Sequence, residues 1–135
     1  MNTTYFLNLA AGNLFGTKTS PEIPSNYYIG LSTSAPNVNG TNVNEPSTSA
    51  GYARVKLTTL SEPASGVVTI TQAINFNEST ASWGTITHFV IYDSDTVGSG
   101  NLLMYGVLST PRSVETATIM TIKEGYLSLS AQNPA

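Results

Sequence analysis

Short runs of alternating apolar and polar side chains, separated by clusters of Gly, Pro, Asn, Asp and Ser, constrain this chain more than any other feature. Such runs fall at 26–34 (NYYIGLSTS), 52–58 (YARVKLT), 66–72 (GVVTITQ), 84–92 (GTITHFVIY), 101–109 (NLLMYGVLS), 114–123 (VETATIMTIK) and 125–131 (GYLSLSA). Residues 73–76 (AINF) either extend the third run or begin another. A period of two puts every second side chain on one face, so each run predicts a strand with one buried side. In 52–58 the expected inward residues are Ala53, Val55 and Leu57, with Tyr52, Arg54 and Lys56 outward. In 114–123 one face carries Val114, Thr116, Thr118, Met120 and Ile122. Seven or eight such runs, with no helical segments between them, exclude a parallel α/β sheet and predict an all-β, antiparallel β-sandwich, jelly-roll-like.

The chain has 135 residues, enough for a single domain with its own core. Only 10% of them are charged, and Ser, Thr and Asn, roughly a third of the chain, take the solvent-facing positions. Neutral hydroxyl and amide surfaces suit contact between copies, because few charges need desolvation. Five basic residues are scattered along a chain of net charge -3, which argues against a nucleic-acid groove. Without cysteine there is no disulfide framework, thiolate nucleophile or zinc–thiolate site, and no cofactor is expected. No apolar run approaches the roughly 20 residues of a membrane span, and the N-terminus lacks the basic start of a signal peptide.

Residues 3–15 have loosely helical apolar spacing, so a short N-terminal helix or arm is expected, either a lid on its own domain or an arm docked on a neighbour. With a proline-containing linker it makes up 1–25; the β-sandwich domain spans 26–131, and 132–135 form a tail. The segment 35–51 consists almost entirely of turn-forming residues, and so long a loop is commonly functional. Together with Tyr27, Tyr28 and Tyr52, expected to be exposed, its Asn42 and Asn44 form a candidate saccharide platform, against the plainer reading of a solvated loop.

The strand 84–92 follows the only Trp, Trp83, and carries the only His, His88. Its second face (Ile86, His88, Val90, Tyr92) is too apolar for solvent, so it is covered either by its own chain or by another subunit. With Trp83, and with Phe6 and Leu7 of the N-terminal segment, these residues are the candidate interface. A catalytic or metal role for His88 has little support: there is no second His and no nucleophile elbow. Asp93, Asp95 and Gly98 follow the start of a calcium loop, but Val97 and Met104 break the pattern, and a plain turn explains them.

Taken in order, YYIGLSTSAP, EPSTSAGYARV, INFNESTASWGTITHFVIYDS and GNLLMYGVL resemble the small bacteriophage proteins grouped as phage tail fibre proteins, from about residue 27 to 130. The resemblance implies a virion structural protein made in the host cytoplasm, not an enzyme: a tail-fibre or baseplate accessory, or a capsid decoration (head fibre) protein. The expected partners are other copies, with a trimer favoured because such sites often have threefold symmetry, and major capsid or tail proteins. The alternative is a module recognising a host surface glycan.

Overall fold

A computed structural model describes residues 1–16 and 24–129. Most of the linker expected at 17–25, the last residues of the final strand and the tail 132–135 lie outside the described residues. The helix α1 spans Thr4–Leu14, and the strands are β1 (Tyr28–Ser32), β2 (Val55–Lys56), β3 (Val68–Thr69), β4 (Ile74–Asn75), β5 (Gly84–Tyr92), β6 (Leu102–Val114), β7 (Thr121–Ile122) and β8 (Ser128–Leu129). One 3-10 turn, Thr48–Ala50, lies in the long loop. The chain is all-β and antiparallel, with one short N-terminal helix.

The main sheet has the order β2–β1–β5–β6. Against it lies an irregular antiparallel ribbon in which β3 pairs with β8 and β4 with β7. Bonds from Phe76 N to Met120 O and from Ser79 N to Thr118 O continue this pairing beyond the strands. One core cluster joins the layers: Ile29, Leu31, Ile86, Ile91 and Val114 from the sheet meet Ile70, Ile74, Phe76, Ile122 and Leu127 from the ribbon.

The N-terminus is tied to this body. Thr3 Oγ1 accepts from Phe6 N at 3.2 Å, which caps α1, and donates to Leu102 O at 2.6 Å. Thr3 N donates to Leu103 O and Tyr105 N to Met1 O, so the first residues cover part of the outer edge of β6. The helix thus rests on its own domain.

Three sequence expectations change. The strand expected at 101–109 runs on through Val114, because Leu108–Pro111 bulge out between the register pairs Ile86↔Arg112 and His88↔Val107. Pro111, which cannot donate to a ladder, is tolerated there. The run 114–123 is not one strand: Ala117 takes φ 60° in a turn, and only Thr121–Ile122 remain paired as β7. The facing of 52–58 inverts in part, since Tyr52 and Arg54 are buried and Lys56 is exposed.

Candidate functional site

Trp83, Ile86, Val90 and Tyr92 are all buried within the chain. Trp83 meets Tyr52 edge-to-face, with ring centroids 5.4 Å apart, and its indole N–H donates to Ala50 O at 2.9 Å. The register shift between Ile86 and His88 breaks the two-residue alternation, so Ile86 joins Ile91 in the main core. Val90 and Tyr92 lie on the other side with Leu102, covered by Val43 and Tyr105. The apolar second face of β5 is therefore covered by its own chain, and these four side chains are not available to another subunit. His88 is half-buried, and its Nδ1 lies 2.8 Å from the Thr87 hydroxyl. Burial lowers its pKa, so the imidazole stays neutral near pH 7.

A buried polar cluster is one that the sequence reading missed. Glu45, from the long loop, and Arg54, just before β2, form an ion pair at 2.6 Å with side-chain exposures of 6% and 0%. Arg54 Nε donates to Glu45 Oε2 at 3.0 Å, and its Nη1 donates to the carbonyls of Ser94 and Ser99 in the β5–β6 turn. The guanidinium lies 3.7 Å from the centre of the Tyr92 ring. Tyr52 Oη donates to Glu45 Oε2 at 2.6 Å and accepts from Leu31 N at 2.9 Å. Burial, reinforced by the Glu45 charge, raises the Tyr52 pKa and keeps the phenol protonated. Gly30 makes the room, because a Cβ there would lie 2.5 Å from Tyr52 Oη and 2.9 Å from Glu45 Oε2. The available signal was Glu45, the only acid in 35–51, with a lone Arg in an otherwise regular strand. The arrangement holds a loop, a strand and a turn together.

The expected saccharide platform is dispersed. Tyr52 is buried in this cluster, and Tyr28 is half-buried in β1 opposite Lys56 and Tyr92. Tyr27 lines an apolar cleft with Phe6, Leu57 and Met104. Asn42 and Asn44 spend their amides on the loop itself, donating to Ala35 O at 2.7 Å and to Thr33 Oγ1 at 2.9 Å. The Asp93 carboxylate accepts from Asn101 N and Nδ2, which closes the turn considered for calcium.

Among the described residues, two surfaces expose the apolar side chains most open to solvent. Helix α1 carries no charged residue, yet only Leu9 and Gly12 are buried. Phe6 and Leu7 are half-buried, and Leu14 and Phe15 at its end are each 79% exposed. A helix apolar on most of its faces is normally covered. The second surface, around the β6 bulge, exposes Val107 at 71% and Tyr126 at 77%.

A search among curated proteins gave no match. The model of the family described as podophage GP4 fiber I protein gp80 matches residues 2–130, which takes in α1, the sheet and the ribbon. The chain therefore belongs to this phage fibre family, and it is a fibre-type virion protein.

Proposed function

We propose that the protein is a structural subunit of a phage fibre, without catalytic activity, that self-associates as a trimer and docks on neighbouring capsid or tail proteins. The observation that carries this reading is α1, an uncharged helix held on β6 by Thr3 while Leu14 and Phe15 stand in solvent. Burying two such side chains at a contact contributes about 1.5–3 kcal/mol each before the costs of association. A closed threefold ring would repeat that contact three times. Phe6 and Leu7, on the same helix, extend the contact, whereas the buried part of β5 takes no part in it.

Light scattering after size-exclusion chromatography tests this. The expected mass is about three times the 14.2 kDa of one chain. The L14S/F15S double variant, altered only at exposed positions, should elute as a folded monomer with an unchanged circular dichroism spectrum. A wild-type monomer at every concentration, or a trimer undisturbed by the two substitutions, refutes assembly through α1.

A further inference from the structure

The groove beside the β6 bulge has a composition unlike the rest of this acidic chain. Phe89 contributes to its wall, and the ring lies so close over Gly106 that a Cβ there would be 2.4 Å from Cε1. Leu108, Ser109 and Thr110, without partners on β5, form one side. Lys123 at the end of β7 and Tyr126 in the following turn stand on the other. The space measures about 260 Å³, a little under the ~300–1,000 Å³ typical of drug-sized ligand pockets, and suits one sugar residue.

Charge singles the groove out. Among the described basic side chains Arg54 is locked to Glu45, leaving Lys56, Arg112 and Lys123 without an ion-pair partner, and two of these three line this groove. No acid among the described residues lines it, although the full sequence has 8 acids against 5 bases. Glu115 and Glu124 are exposed nearby in sequence but outside the lining. Ser109 and Thr110 on the bulge add exposed hydroxyls.

We infer that this groove binds an acidic saccharide, with the sugar ring against Tyr126 and its carboxylate or phosphate held by Arg112 and Lys123. A guanidinium fork matches a carboxylate or phosphate in two parallel hydrogen bonds, and an ammonium adds a movable point charge. An exposed phenol ring offers an apolar face to sugar C–H groups, and the hydroxyls match sugar hydroxyls. Two cations are too few to track a nucleic-acid backbone, which needs many neutralised phosphates. This site shares no residue with α1 and does not depend on assembly through it.

The test is a titration of isotopically labelled full-length protein with trigalacturonate and, separately, with neutral maltotriose, followed by amide chemical shifts. Trigalacturonate should move the amides of Arg112, Lys123 and Tyr126, and raising NaCl to about 0.5 M should weaken the effect. The R112A/K123A variant should keep its thermal stability and lose affinity by about tenfold or more. Equal binding of maltotriose, no shifts at the groove, or affinity that survives R112A/K123A overturns the inference. Groove shifts that follow protein concentration without any sugar also overturn it, because they identify the groove as a subunit contact. The L14S/F15S variant should still bind trigalacturonate, so failure here is separable from failure of assembly through α1.

Discussion

Replacing Arg54 by methionine isolates the Glu45–Arg54 pair. Methionine keeps most of the apolar stem and removes the guanidinium, so packing changes little. The Glu45 carboxylate, its side chain 6% exposed, then loses two N–H donors and keeps only the Tyr52 hydroxyl. The carbonyls of Ser94 and Ser99 lose a donor each. Leaving one partner of a buried pair uncompensated costs about 3–5 kcal/mol, which for a domain of this size is about 10–20 °C in Tm. The assay is urea unfolding followed by fluorescence of Trp83, which touches Tyr52 and so reports next to the change. Protein concentration must be held fixed, because the proposed self-association would add to apparent stability. The double variant E45L/R54M should be less destabilised than R54M alone, since it removes the stranded carboxylate. A loss under about 1 kcal/mol in R54M would falsify the argument, because that is the range of solvent-screened surface pairs.

Two further outcomes follow from the same geometry. Gly30→Ala forces a Cβ to within 2.5 Å of Tyr52 Oη and should cost about 1–3 kcal/mol in the same urea assay, with Tyr52→Phe in the same chain recovering part of it; no loss in G30A would show that the cluster has slack. Burial lowers the His88 pKa, so as pH falls the unfolded chain binds that proton first, and stability drops through about pH 6.5 before levelling off below the folded pKa. Thermal melts between about pH 7.5 and 5.5 should show a shallower slope in His88→Gln than in wild type, and identical slopes would remove His88 as the cause.

Much of the fold was legible because alternation and turn residues act locally. The strand 84–92 matches β5 at both ends, and the helical spacing at 3–15 encloses α1. The misses arose where tertiary partners override local pattern. Arg54 looked like an outward residue because a charge normally seeks water, and only a carboxylate nine positions earlier makes its burial tolerable. Tyr52 is buried for the same reason, its hydroxyl being satisfied by Glu45 and Leu31. The turn at Ala117 lacked the Gly or Asn that usually marks a left-handed residue. The β6 bulge was hidden because Pro111 reads as a strand end, whereas in the structure it marks a break in register. Of the candidate interface, Trp83, Ile86, Val90 and Tyr92 are covered by the chain itself, whereas exposed apolar area lies at the end of the helix that carries Phe6 and Leu7. The groove at Arg112, Lys123 and Tyr126 had no sequence signal, because its residues come from separate strands brought together by the bulge and the ribbon.

The most direct test of a fibre subunit with threefold assembly is its copy number in purified virions, measured by quantitative mass spectrometry against the major capsid protein. The account predicts that the protein is present in a multiple of three copies per particle. Its absence from intact virions, or a copy number not divisible by three, would contradict it.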